Sequence, residues 1–291
     1  MTPLAIILVL FSAVCHAGWN YFSHGFRRPL VAMWFMTGTG LLLYLPVFIF
    51  TSRSLVLTPM LAILILFSGL TKSGYYITLA TTYKYADLSV GYPLSRTGIV
   101  IVPIWAYLFL GERISVLAGV AIIVILAGIY LVNVRATDPS AHSGDRHRGR
   151  LGLWAALATA LLISVYSVID KRAMDTPQLG PINFLFLMLI PTWLGITPYV
   201  LATNRWAEIK QEISGKMGKL ALMALLDFTG YGAVLAAMEL SKVSYILALR
   251  QTSVVLGAIM GAPLLGEKHG VSRVAGAVII FLGALLVSIS K

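Results

Sequence analysis

Asp87-Leu-Ser-Val-Gly-Tyr-Pro-Leu-Ser-Arg-Thr97, whose apolar run closes at Leu110-Gly-Glu-Arg113, is answered in the second half of the chain by Lys242-Val-Ser-Tyr-Ile-Leu-Ala-Leu-Arg-Gln-Thr252, closing at Leu265-Gly-Glu-Lys268. A constant offset of 155 positions places Ser89 on Ser244, Leu94 on Leu249, Thr97 on Thr252 and one Leu-Gly-Glu-basic turn on the other. One shared turn is weak evidence of a repeat. A helix and its closing turn, matched in the same order in each half, is much stronger.

Around these stretches the composition identifies the solvent. Hydrophobic residues make up 58% of the 291 and charged residues 11%, with a mean hydropathy of +0.87. Soluble domains carry about a quarter charged residues, so this chain lacks the polar surface needed in water. Its apolar runs have the length of about 20 residues that crosses a hydrocarbon layer about 30 Å thick. The net charge of +11 would suggest nucleic acid in a soluble protein. Here the cations punctuate apolar runs, where they serve anchoring and topology, and no nucleic-acid partner is expected. Cys15 is the single cysteine, which excludes an internal disulfide and a cysteine zinc site. No metal or other cofactor is expected. Met1-Thr2-Pro3 lacks the basic n-region of a secretory leader, so the first apolar run reads as a retained helix.

Ten apolar segments follow: Pro3–Tyr21, Leu30–Phe50, Pro59–Tyr83, Leu88–Leu110, Val116–Val134, Leu151–Ile169, Ile182–Leu201, Lys219–Met238, Val243–Leu265 and Val271–Ser288. Bare backbone cannot face lipid, so each is predicted to be helical. The longest polar break divides the chain near its middle, giving a first five-helix unit over 1–135, a linker over 136–150 and a second unit over 151–291. Five crossings is an odd number, so the second unit must lie inverted relative to the first. The predicted fold class is an all-α integral membrane protein of ten helices in two inverted repeats, a plan that places substrate near the midplane, where the halves meet.

The residues His16-Ala-Gly-Trp-Asn20, Asp87 to Arg96 with Leu110-Gly-Glu-Arg113, and Ser244-Tyr-Ile-Leu-Ala-Leu-Arg-Gln-Thr-Ser253 with Leu265-Gly-Glu-Lys268 resemble the EamA-like branch of the drug/metabolite transporter superfamily. The resemblance covers nearly the full length. It implies a ten-helix transporter, often an exporter of amino acids or other metabolites. Related sequences often place a lysine four residues after the asparagine that matches Asn20, where this chain has His24.

Ionisable side chains in lipid are costly and mark function by default. Of the 22 basic residues, all but Lys72, Arg96 and Arg250 fall in loops, ends or flanks. Asp227 is the one comparably deep acid, with Asp170, Glu239 and the turn glutamates read as lying near segment ends. Three cations against one acid imply a wet, positively biased cavity suited to a carboxylate, phosphonate or phosphate group, which an arginine fork grips bidentately. A structural alternative pairs Arg96 or Arg250 with Asp227, or has the arginines bond backbone carbonyls at helix breaks. Candidate substrate-binding residues are Arg96, Arg250, Lys72, Tyr92, Gln251, Tyr76, Tyr231 and Trp19. Tyr76 follows Lys72, and Tyr231 follows Asp227, by four residues, and so shares its helix face. Candidate proton-coupling groups are Asp227 and His16, the latter on the face of Asn20. Pro93 and Pro103 predict irregular backbone around Arg96, with freed carbonyls facing the cavity or taken by Ser89, Ser95 and Thr97.

The predicted function is secondary transport, by alternating access, of a small acidic or zwitterionic metabolite across the inner membrane, with export as the expected direction. Gly-x4-Gly-Lys-Ser/Thr is not found, which removes ATP as the direct energy source, and the absence of His-Glu-x-x-His and Gly-x-Ser-x-Gly argues against an enzyme. The alternatives are a broad cation exporter, which would want a carboxylate in the first segment, and a non-transporting membrane partner or sensor, which would not need midplane cations. Loop cations number 13 on the linker side and six on the side of the termini. The positive-inside rule then puts the linker in the cytoplasm and both termini outside, whereas the family resemblance implies termini inside.

Overall fold

The computed structural model describes residues 1–291 except 24, 87, 134–145, 177–178, 258–270 and 291. Every regular element in the described residues is helical. They are α1 (Pro3–Ser23), α2 (Pro29–Thr51), α3 (Pro59–Tyr85), α4 (Leu88–Arg96), α5 (Gly98–Leu110), α6 (Val116–Asn133), α7 (Arg146–Met174), α8 (Pro181–Thr203), α9 (Trp206–Ile213), α10 (Met217–Leu240), α11 (Val243–Arg250) and α12 (Val271–Ile289), with a single 3₁₀ turn at Ser52–Ser54. Helix resumes over 252–257 after a turn at Gln251. Among the described residues, seven spans, one of them formed by α4 and α5 together, are long and apolar enough to cross a membrane, and three shorter apolar helices accompany them.

Local chemistry sets several boundaries. Pro29, Pro59 and Pro181 open α2, α3 and α8, where the missing N–H costs nothing. Thr58 caps α3 by accepting from Leu61 N at 3.3 Å. Gly111, at φ 67°, ends α5 in the left-handed region that glycine adopts without strain. α7 begins inside the predicted 136–150 linker and runs on past Ile169 to Met174. α9 was not foreseen as an element. It is short and charged, and it ties down the α1–α2 turn: Glu212 accepts from Arg27 N at 2.7 Å, and Glu208 pairs with Arg28 at 2.9 Å.

The outer surface is apolar: Leu42, Phe50, Phe67, Phe109, Val116 and Ile289 each expose more than half their area. The interior holds Lys72, Arg96, Asp170 and Asp227. That polarity is reversed from a protein folded in water and fits a hydrocarbon surround. Helix contacts keep their pattern when each span is exchanged for the one five spans along. α3 packs on α7 as α10 packs on α1, and α3 packs on α8 as α10 packs on α2, while α6–α12 and α2–α8 are each their own counterpart. At the α6–α12 crossing, a Cβ on Gly276 would sit 2.7 Å from Gly128 O, so small residues let these backbones touch.

Both chain ends reach one face. Met1, Leu110, Lys171, Leu240, Lys242 and Ser290 line a cavity of about 600 Å³ there. At the opposite end a larger cavity of about 1150 Å³ is lined by residues including Arg27, Arg28, Lys84, Glu208 and Lys216.

Candidate functional site

Two helix breaks build the centre. In the first, Thr97 N reaches Leu94 O at 3.2 Å and Val100 N reaches Thr97 O at 2.9 Å. In the second, Gln251 N reaches Ala248 O at 3.1 Å and Val254 N reaches Gln251 O at 2.9 Å. Each is the same pair of tightened i→i−3 bonds, and each follows an arginine. The offset between the breaks is 154, one less than that of the turns, and it sets Arg96 against Arg250 directly. The freed carbonyls are taken locally. Ser95 and Thr97 hydroxyls donate to Tyr92 O and Leu94 O, each at 2.7 Å, and Gln251 Nε2 donates to Leu247 O at 3.1 Å. They are therefore filled by side chains rather than turned toward a ligand.

Both guanidinium groups converge on His16 of α1. Its Nδ1 accepts from Trp19 Nε1 at 3.0 Å and from Arg250 Nη2 at 3.2 Å. Two donors at Nδ1 assign the ring proton to Nε2. Arg96 Nη2 lies 3.4 Å from that Nε2, so two donors face each other there. Arg96 also lies over the Tyr92 ring, 4.7 Å from its centroid. On the other side Arg250 Nε and Gln251 Oε1 are buried without a hydrogen-bond partner. None of the ion pairs found among the described residues involves Arg96, Arg250 or Lys72. The alternative in which an arginine neutralises Asp227 is therefore not the observed arrangement. The cavity between the arginines measures about 20 Å³, room for one water. It is much smaller than the wet chamber the charge pattern predicts, because His16, Ile163 and Leu247 fill the space between the breaks.

A second polar cluster adjoins the first. Arg250 lies 5.7 Å from the Tyr231 ring centroid, and Lys72 Nζ lies 3.5 Å from the same ring. Tyr231 OH and Ser68 OH both donate to Asp170, one to each carboxylate oxygen. Tyr76 OH donates to Asp227 Oδ2 at 3.2 Å. Tyr166 stands between Lys72 (5.8 Å) and Tyr231 (6.4 Å). The structure thus gathers His16, Trp19, Tyr92, Arg96, Arg250 and Gln251 in one cluster, and Lys72, Tyr76, Asp227 and Tyr231 beside it. Tyr245 is elsewhere: its hydroxyl accepts from Ser115 N at 3.3 Å near the face of the termini.

Asp170 is the correction. Read from the sequence as lying near a segment end, it is wholly buried, because α7 continues a further turn before stopping. Tyr166 and Ser68 were also missed. A signal for Asp170 was present, since Tyr166 and Asp170 are four apart and share a face. The 155 offset also carries Lys72 onto Asp227 and Tyr76 onto Tyr231, so opposite charges occupy equivalent places in the two halves. Asp170 falls on Cys15 and has no acidic counterpart.

A family model for EamA-like transporters matches residues 3–134 and 150–289, nearly the whole chain and in two copies. The chain belongs to the EamA-like transporter family. It is a multi-pass membrane protein and a transporter of small molecules. One curated relative, from Sinorhizobium sp, is described as "Uncharacterized transporter in cobO 3'region"; it is 27% identical over 139 residues, 47% of this chain and 94% of that one. A solved structure titled "Crystal structure of protein" has the same fold, with a TM-score of 0.78 at 17% identity over 99% of this chain and 98% of its own.

Proposed function

We propose that this EamA-like protein is a secondary transporter that moves a small acidic or zwitterionic metabolite outward across the inner membrane by alternating access. Ten crossings are assigned as two inverted five-helix repeats, 1–135 and 151–291, joined by the 136–150 linker. The exchange of helix contacts between the halves supports this plan, as do the matched breaks and the arrival of both termini at one face. The single observation that carries the cargo chemistry is that Arg96 and Arg250 meet at His16 with neither in an ion pair among the described residues. With the ring proton assigned to Nε2, Arg96 faces a donor there, and an oxygen of an anionic group would satisfy both.

In this reading Arg96 and Arg250 grip the anion, and Gln251 offers its free carbonyl oxygen to a donor on the cargo. Trp19, Tyr92 and Tyr231 form walls, and Lys72, Tyr76 and Asp227 border the second cluster. The far-end cavity, rimmed by Arg27, Arg28, Lys84 and Lys216, is the approach from the cytoplasm. The charge count supports this orientation. Efficient labelling of a Ser140→Cys variant from the periplasmic side would reverse it.

Thermal shift on purified protein tests the cargo class. Phenylphosphonate or L-phenylalanine should raise the melting temperature, and Arg250→Gln should abolish that rise. Stabilisation by tetraphenylphosphonium alone would remove the anionic-site reading in favour of a cation exporter.

A further inference from the structure

Asp170 is a buried carboxylate with no role in gripping an anion, yet it ties helices of both halves together. One oxygen accepts from Ser68 of α3, in the first half, and the other from Tyr231 of α10, in the second. Neither oxygen takes part in the ion pairs found among the described residues. The repeat equivalent of Asp170 is Cys15, so the fold does not require an acid at this position. The adjoining residue, Lys171, lines the 600 Å³ cavity on the face of the termini.

The titratable groups around Asp170 come from every element packed on α7. α3 brings Lys72, Tyr75 and Tyr76, and α10 brings Asp227, Tyr231 and, at its end, Glu239. α4 contributes Tyr92 and Arg96 and α11 contributes Arg250, whereas Tyr245 of α11 lies near the face of the termini and the one tyrosine of α5, Tyr107, is exposed on the outer surface. α7 itself adds Tyr166, Lys171, Arg172 and Asp175. His16 is a poor proton carrier, because a proton on Nδ1 would face the Trp19 and Arg250 donors. Asp227 accepts one hydroxyl and shares its repeat position with the cation Lys72.

We propose that Asp170 carries the coupling proton of the transport cycle; this rests on the transport reading above. One proton passes from hydronium in the surrounding water to one carboxylate oxygen: the hydronium O–H bond breaks, the carboxyl O–H bond forms, and no bond within the protein breaks. A neutral carboxyl gains a donor at that oxygen and is a poorer acceptor there, so the bond from Ser68 or Tyr231 to the protonated oxygen weakens, or its hydroxyl rotates to accept. Ionised Asp170 therefore ties α3 to α10 through α7, and protonated Asp170 loosens that tie. Tyr231 passes the change on, because its ring faces Lys72 and Arg250 (3.5 and 5.7 Å).

Difference infrared spectroscopy across a pH titration reads this without knowledge of the cargo. Wild type should develop protonated-carboxyl bands on acidification, one component of which belongs to Asp170. Asp170→Asn should lose one component that Asp227→Asn keeps, and Tyr231→Phe and Ser68→Ala should shift that same component to higher frequency as a donor is lost. A spectrum unchanged by Asp170→Asn, or the loss of the same component in Asp227→Asn, overturns the assignment. If Asp170→Asn does not fold, an unshifted band in both hydroxyl variants overturns it equally. In weakly buffered solution, binding of benzenesulfonate, an anion with no titratable proton of its own, should move about one proton per site in wild type and none in Asp170→Asn. A probe that binds wild type without any proton also overturns the coupling role. A probe that fails to bind wild type sinks the anionic site instead, while the band still decides Asp170.

Discussion

The two helix breaks share a backbone and differ in what surrounds their arginines. Arg96 is buried, lies over Tyr92 at 4.7 Å and meets His16 at the nitrogen that carries the ring proton. Arg250 is half-buried, sits farther from its aromatic ring at 5.7 Å, donates to the accepting nitrogen of His16 and keeps Nε unpartnered beside an unpartnered Gln251 Oε1. Buried donors and acceptors left unmade are expensive, so the second break has hydrogen-bonding capacity reserved for something else. The difference teaches a division of labour within a symmetric frame: both arginines face the anion, Arg96 held in place by its ring and Arg250 with hydrogen-bonding capacity in reserve.

The largest expected effect follows from that division. Arg250→Gln should weaken phenylphosphonate binding by roughly 30-fold or more, since truncating one partner of a buried charged contact costs about 2 kcal/mol or above. Melting temperature without ligand should change little, because the group it removes is under-satisfied. Isothermal titration checks the first quantity and a melting curve the second. Arg96→Gln should show the opposite balance: about a tenfold loss of affinity, from about 1.5 kcal/mol for a hydrogen bond to a charged group, together with a clear drop in melting temperature as Tyr92 loses its cation. Equal effects in both assays for both variants would erase the distinction between the breaks.

Much of this was legible in the sequence. Among the described residues the apolar lengths gave the bounds of most long helices to within a few residues, because the bilayer leaves helix as the only choice for a lipid-facing run. The depth of Lys72, Arg96, Arg250 and Asp227 was readable for the same reason. The hydrogen-bonding state was not. That Ser95 and Thr97 fill the carbonyls freed at the first break, that His16 rather than Asp227 receives both arginines, and that the space between them has shrunk to about 20 Å³ depend on side-chain directions across helices, which periodicity does not encode. Asp170 was misplaced because a charged pair, Lys171-Arg172, looked like a helix end. Lys171 instead folds back to Met238 O at 2.7 Å and Asp175 at 2.6 Å, and the helix continues.

Tyr231 sharpens the comparison at a smaller scale, because it is the aromatic wall of the second break alone. Tyr231→Phe keeps the ring facing Lys72 and Arg250 and removes only the donor to Asp170. The expected cost is about 1 kcal/mol, typical of a polar contact between membrane helices. Tyr231→Leu should cost more, by the roughly 0.5–2 kcal/mol of a desolvated cation–π contact. Chemical denaturation in mixed micelles measures both. If the two variants are equally stable, Lys72 and Arg250 draw nothing from the ring.

The smallest effect concerns the connection between the two breaks. Glu112 follows the end of α5, which leaves the first break, and its Oε1 accepts at 3.1 Å from Val243 N, the first residue of α11, which leads to the second. The other oxygen, Oε2, is buried without a partner. Burial raises the Glu112 carboxyl above the usual glutamate range, against the lowering influence of the Val243 N–H and of Lys171 and Lys242. A group raised in the fold holds its proton more tightly folded than unfolded. Its contribution is therefore full below the free-acid value of about 4.3 and is lost as pH rises through its folded value. Glu112→Gln keeps an acceptor for Val243 and cannot ionise. Relative to this variant, wild type should lose stability between acid and neutral pH, by less than about 1 kcal/mol for so partly exposed a group. Glu208 gives the reference at the opposite end: its N-cap hydrogen bond to Arg205 N, foremost, and Arg28 hold it below the usual range, so its contribution is present above the free-acid value and fades as pH falls. Glu208→Gln should therefore reverse the sign of the pH trend seen with Glu112→Gln. If the two variants trend alike, Glu112 is ionised at no cost, and the link between the breaks is an ordinary surface contact.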